Sequence, residues 1–407
     1  MTNRKTGAAA VIGSSIAIFW QGAFIFGLPG VMASHWQEMF HVGRGAVGNI
    51  LFFVLAAVGV FMFFVGRWQE KFGTRRMISI GTVICGLNLF TLAYASNVFL
   101  LYLWAFLMGL ASCFVYVPAL TSVQRWYPAR RGLVSGIVNM VFGLSAAVMS
   151  PLFGWMLDAL GYVPMLVTMA VIALLAGLAA AQFTEAPRQA LQVGQAMSGT
   201  ASGLVNLGTS LTVGESLRTK SFWFLWLTWA LQGAAGIAMV PLSTAFGLSK
   251  GFGFESAVVI LTAFNITNGL SRFLTGYLSD LVGRNFTMSV TFFASGCAYV
   301  VLPHADSLAL SALLAAVIGF GFGTLFGVSA PLVTDCFGMK HFGAIFGLVF
   351  TAYGFVAGII GPSLSGYILD ATNGNFGAVF AYLGIFCLLS GVIIRFVSPQ
   401  HAMVDGR

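Results

Sequence analysis

Within AFNITNGLSRFLTGYLSDLVGR, residues 263–284, Asn265, Asn268 and Arg272 recur at i, i+3 and i+7, a spacing that stacks them on one face of an α-helix. The chemistry such a stripe offers is anion binding. A guanidinium keeps its proton in any cellular setting and presents five N–H donors in a fork that matches a carboxylate, and each carboxamide adds donors and an acceptor. Because the surrounding residues are apolar, the cation needs an answer: snorkelling to an interface, water, backbone carbonyls or a visiting anion. Gln21, Tyr116, Asn139 and Tyr353 form a second set, isolated polar or aromatic residues in apolar runs, with Phe24 and Leu28 as apolar walls. A phenol or amide there can hold a second carboxylate oxygen or a 2-hydroxyl, and each can equally be a packing residue between helices.

Little else in the sequence suggests chemistry. Cys85, Cys113, Cys297, Cys336 and Cys387 show no C-x-x-C spacing, and the five histidines show no H-x-x-x-H pair. Serines lack a companion His and Asp, so neither an enzyme nor a metal or cofactor is expected.

The elements that must position these residues follow from composition. The chain is 58% hydrophobic and 7% charged over 407 residues, against about 25% charged in a soluble domain. Twelve apolar runs lie near 8–34, 45–66, 77–96, 99–122, 132–157, 162–183, 221–247, 255–277, 286–303, 307–331, 343–368 and 376–397. About 20 apolar residues let a helix cross the hydrocarbon, and the runs lack the alternation of a barrel. The expected fold is therefore an all-α membrane protein of twelve transmembrane helices, the first a retained span and not a signal peptide. With both termini in the cytoplasm, every Lys and Arg except Arg44, Lys250 and Arg272 falls on the cytoplasmic side, as the positive-inside rule requires. The net charge of +8 thus reflects topology and not nucleic-acid binding. A prokaryotic inner (plasma) membrane is the expected location.

An internal repeat divides the chain. Gly66, Glu70 and Gly73 of GRWQEKFGTRR match Gly276, Asp280 and Gly283 of GYLSDLVGRNF, each 210 residues on (66 to 276). Gly132, Gly136, Gly143 and Pro151 match Gly343, Gly347, Gly354 and Pro362 at 211 (132 to 343). Two six-helix halves, residues 1–183 and 221–407, are expected on either side of a polar cytoplasmic loop, 184–220. The repeat equivalent of Arg272 is Met62, and those of Asn265 and Asn268 are Leu55 and Val58. The polar stripe belongs to the second half only.

The sequence G-x-x-x-[DE]-[RK]-x-G-x-[RK]-[RK] at 66–76, shortened at 276–284, resembles the loop signature of the major facilitator superfamily, whose fold is two six-helix halves rocking about a midplane site. In this reading Gly66, Glu70, Lys71, Arg75, Arg76, Asp280 and Arg284 form a gating motif, in which the carboxylates pair with neighbouring helices in one conformation and release them in the other. The charge pattern also satisfies the positive-inside rule by itself.

Within that superfamily, QRWYPARRGLVSGIVNMVFGLSA (124–146) resembles the fifth-helix motif of the monocarboxylate transporters and the oxalate/formate antiporters. FWQGAF (19–24) is similar to the first-helix motif of the former, with Gln21 where that motif is acidic. The resemblance implies that Arg272 is the anion-binding residue. The antiporters add a lysine in helix 11, where this chain has Val349; the eukaryotic carriers add an aspartate where it has Asn268, and a helix-1 lysine with no counterpart here. One cation then matches one anion, such as lactate, pyruvate or acetate. Proton symport and anion exchange both stand as modes, with symport implied by the resemblance, and a monomer suffices.

Overall fold

Each apolar run becomes a helix because a backbone in lipid must bond to itself. The computed structural model describes residues 2–42, 44–185 and 210–398. The central-loop stretch QVGQAMSGTASG, Arg188, His401 and Arg407 lie outside the described residues.

Twelve helices are long and apolar enough to span a bilayer: α1 (Thr6–Ala33), α2 (Asn49–Phe72), α3 (Thr74–Ala93), α4 (Val98–Trp126), α5 (Pro128–Leu160), α6 (Tyr162–Ala181), α7 (Lys220–Ser249), α8 (Ser256–Val282), α9 (Arg284–His304), α10 (Leu308–Phe337), α11 (Phe342–Ala371) and α12 (Phe376–Phe396). Side chains supply several starts: Asn97, Thr219, Ser307 and Asn375 accept the Leu100, Phe222, Leu310 and Ala378 amides of α4, α7, α10 and α12. Successive helices run antiparallel, so the termini and the α2–α3, α4–α5, α8–α9 and α10–α11 connections share one end of the bundle, termed basal; the other end is apical.

Two sequence expectations change. The motif at 66–76 is not a loop: Gly66, Glu70 and Lys71 ride the last turns of α2, and Arg75 and Arg76 the first turn of α3. Gly73 alone joins them at φ 80°, and Gly283 joins α8 to α9 at φ 97°. A side chain at either place would be strained, so a glycine lets two long helices turn on a single residue. The central segment is also not wholly loop, since a short helix, Val213–Leu217, starts in a capping box between Thr212 and Glu215. The backbone and hydroxyl of Thr212 donate to Glu215 and hold its carboxyl below the usual range.

The repeated glycines mark where the halves, α1–α6 and α7–α12, touch. On one seam, between α2 and α11, Gly66 faces Gly343, Gly347 faces Met62 and Gly354 faces Gly59. On the other, between α5 and α8, Gly132 faces Gly276, Gly136 faces the Arg272 backbone and Gly143 faces Gly269. A Cβ at Gly66 would stand 2.1 Å from the Gly343 carbonyl oxygen, and one at Gly132 would stand 2.2 Å from that of Gly276. Only glycine permits such an approach.

Polar contacts between the halves gather at the basal end among the described residues. Thr334 donates to Gln124 at 2.7 Å, Arg131 pairs with Asp335 at 3.2 Å and His341 meets Glu70 at 3.1 Å. Exposure along α8 runs the other way: Asn265 is exposed, Asn268 half-buried and Arg272 buried. The contacts between the halves close the basal end below Arg272.

Candidate substrate site

Arg272 lies about four residues past the middle of the continuous helix Phe254–Val282 that contains α8, roughly 6 Å along the axis, and is only 4% exposed. Its Nη2 donates to Asn268 Oδ1 at 3.2 Å. Asn268 sits one turn toward the apical end, so the side chain turns away from the basal interface that snorkelling would seek. Nε and Nη1 are buried with no hydrogen-bond partner. No carboxylate pairs with it among the described residues.

Aromatic rings fill the place of a counter-ion. The guanidinium carbon stands 4.5 Å from the Phe326 ring centre and 5.8 Å from that of Phe142. Phe326 comes from α10 and Phe142 from α5, so the two halves each supply a ring. Behind Phe326 lie Trp229, Phe350 and Tyr353, held edge to face or tilted. Gly143 leaves the space beside the cation: a Cβ there would be 3.1 Å from Arg272 Nε.

The other expected site residues divide. Tyr116 is near Arg272, but its hydroxyl donates to Asn139 Oδ1 at 2.6 Å while Asn139 Nδ2 donates to the Ser135 carbonyl. Asn139 is therefore committed within the N-terminal half and orients the phenol. Tyr353, near Arg272, forms no hydrogen bond among the described residues. Val349 is fully buried.

Gln21, Phe24 and Leu28 are not brought to the cation. Gln21 is 1% exposed, with its Oε1 buried and unpartnered. Phe24 stacks between Trp20 and Phe153, and Leu28 is buried in the same cluster. A π-helical turn, Ala23–Gly27, holds Phe24, adds a residue and rotates the helix beyond it, Leu28 included. Phe26 is the α1 ring that reaches Phe142. Phe26, Phe142, Phe326 and Trp229 escaped sequence reasoning, since an aromatic ring in an apolar helix carries no signal of rarity. α11 is π-helical too, over Ala352–Ala357, and carries Tyr353 there.

Of the motif residues, Asp280 accepts from the Gly132 and Leu133 amides at the start of α5, at 3.0 and 2.8 Å, and pairs with Arg284. Arg284 also pairs with Asp335, which joins Arg131. Glu70 meets His341, the residue that precedes α11. Arg75 donates to Gln182 and pairs loosely with Glu185, both within the first half. Lys71 and Arg76 are exposed without an ion pair among the described residues.

Comparison with known proteins shows the family. The chain matches the Major Facilitator Superfamily over residues 12–359 and again over 259–405. It belongs to that superfamily. It is a multi-pass membrane transporter and not an enzyme. The xylose symporter XylE superposes with a TM-score of 0.70 at 14% identity, covering 98% of this chain and 97% of that one. The fucose symporter FucP of Escherichia coli gives 0.67 at 15%, covering 96% and 98%. These two show the fold alone. Among curated relatives, the oxalate:formate antiporter of Oxalobacter formigenes is 26% identical over 82% of this chain and 78% of that protein. Monocarboxylate transporter 13 of Rattus norvegicus is 24% identical over 93% and 87%.

Proposed function

We propose that this transporter carries small monocarboxylates of the lactate, pyruvate and acetate class by proton-coupled symport, with Arg272 pairing the substrate carboxylate. The observation that carries the reading is a buried guanidinium near mid-membrane with Nε and Nη1 unpartnered and no acid beside it among the described residues. Burying such a charge costs about 2.5–3.5 kcal/mol or more, which an anion offsets on arrival. Asn268 orients the fork, Asn139 and Tyr116 wall it, and Asn265 lines the approach. With the basal end cytoplasmic and the protein in the inner membrane, the conformer is outward-facing: an anion enters from outside, meets Arg272, and the halves rock to open below.

That opening breaks the basal contacts, which gives the motif residues their work. Asp280 leaves the start of α5, Glu70 leaves His341, and Arg131 leaves Asp335, while Gly66 and Gly132 let the seams close again. Lys71, Arg75 and Arg76 mark the cytoplasmic face.

The buried Val349 favours a single negative charge, since nothing in α11 there adds a second cation. Anion exchange is the second reading, favoured by the oxalate:formate antiporter among the relatives. Uptake of labelled lactate and oxalate into proteoliposomes under an imposed pH gradient tests both. Lactate uptake with internal acidification, abolished in Arg272→Ala, is the expected result. Undiminished uptake in Arg272→Ala refutes the reading, and a requirement for internal anion selects exchange.

A further inference from the structure

We infer that Phe326, assisted by Phe142, stands in for the substrate anion when the site is empty, and so lets the unloaded carrier return without an exchange partner. The inference rests on the proposed role of Arg272. An empty carrier that must move a bare cation through the membrane interior is trapped until a new anion binds, which makes a protein an obligate exchanger. A carrier that performs net transport needs something else to stabilise that cation on the return step.

The geometry supplies it. A ring face carries negative potential, and a guanidinium over it is stabilised most where water is excluded. Phe326 is 6% exposed and Phe142 8%, and the guanidinium lies 4.5 and 5.8 Å from their centres. Phe326 shares the second half with Arg272, so it travels with the cation whichever end is open. Phe142 belongs to the first half and adds its ring where α5 and α8 approach. Trp229, Phe322 and Tyr353 meet Phe326 edge to face at 5.1, 5.3 and 5.6 Å and fix its plane. The rings take the face of the guanidinium. Its N–H donors point along the edges, and Nε and Nη1 among them have no hydrogen-bond partner. Shielding and substrate binding therefore use different parts of one side chain and need not compete.

The test compares two rates in proteoliposomes: net L-lactate uptake driven by a pH gradient, and L-lactate exchange with equal lactate on both sides. Only the net mode includes the empty return. Phe326→Leu keeps an apolar side chain but removes the ring; it should lower the ratio of net uptake to exchange about tenfold, the scale of a desolvated cation–π contact. Phe326→Tyr retains the ring face and should keep that ratio. Equal loss of both rates in Phe326→Leu, or loss of neither, overturns the inference. Should Phe326→Leu fail to fold, the net-to-exchange ratio in Phe142→Leu decides: a fall supports the inference and an unchanged ratio overturns it. A native chain that exchanges but shows no net uptake also overturns it while leaving the Arg272 site standing; unchanged uptake in Arg272→Ala removes the site itself.

Discussion

Asp280→Asn should open the basal end. The carboxylate accepts two amides at the start of α5, at 3.0 and 2.8 Å, and its side chain is only 10% exposed. A hydrogen bond to a charged group contributes about 1.5–3 kcal/mol, and a negative charge at a helix start adds about 0.3–1 kcal/mol. Asparagine keeps one acceptor but sets an NH2 group against the second amide and carries no charge. The sealed conformer then loses about 2–3 kcal/mol, equivalent to a roughly 30- to 150-fold shift toward the opened one. Arg284 retains Asp335 and is not left unpaired. The assay is the maleimide labelling rate of Thr334→Cys, in a chain whose five cysteines are replaced, held in lipid nanodiscs. Thr334 is 3% exposed and lies against Gln124 across the halves, so its labelling follows the opened population. The rate should rise at least tenfold in Asp280→Asn. An unchanged rate, with the protein folded, would refute the idea that this carboxylate holds the halves together.

The remaining predictions concern the same two features, the seams and the cation. His341→Leu removes a half-exposed partner of Glu70; such pairs contribute up to about 1 kcal/mol, so the same labelling rate should rise no more than about fivefold. Combined with Asp280→Asn, on the other seam, the two effects should multiply. Gly66→Ala forces a methyl against the Gly343 backbone and should favour the opened conformer and slow transport at least tenfold, detected by labelling and lactate uptake together. Arg272→Lys keeps the charge but loses the fork and its Asn268 contact; uptake should fall with a raised KM, whereas Arg272→Ala abolishes it.

The twelve helices were legible in the amino-acid sequence because lipid leaves the backbone few ways to satisfy itself and requires runs of about 20 apolar residues to cross. Arg272 and Asn268 were legible because charge and amide are rare at that depth, and their contact follows from helical spacing alone. The repeat was legible as matched glycines, but their purpose was not: Gly66, Gly132 and Gly136 are needed because residues far off in the chain approach too closely for a Cβ. Tertiary structure also decided which neutral residues surround the cation. Gln21, Phe24 and Leu28 were expected at the cavity as an isolated amide and its apolar walls, and folding packs Phe24 and Leu28 into a cluster with Trp20 and Phe153 instead. Asn139 proved to be bound to Tyr116. Phe326 and Phe142, two of 39 phenylalanines, became distinctive only when folding laid their faces against a charge. Local rules see periodicity and rarity, whereas the counter-ion of a buried cation is settled by which distant helices meet it.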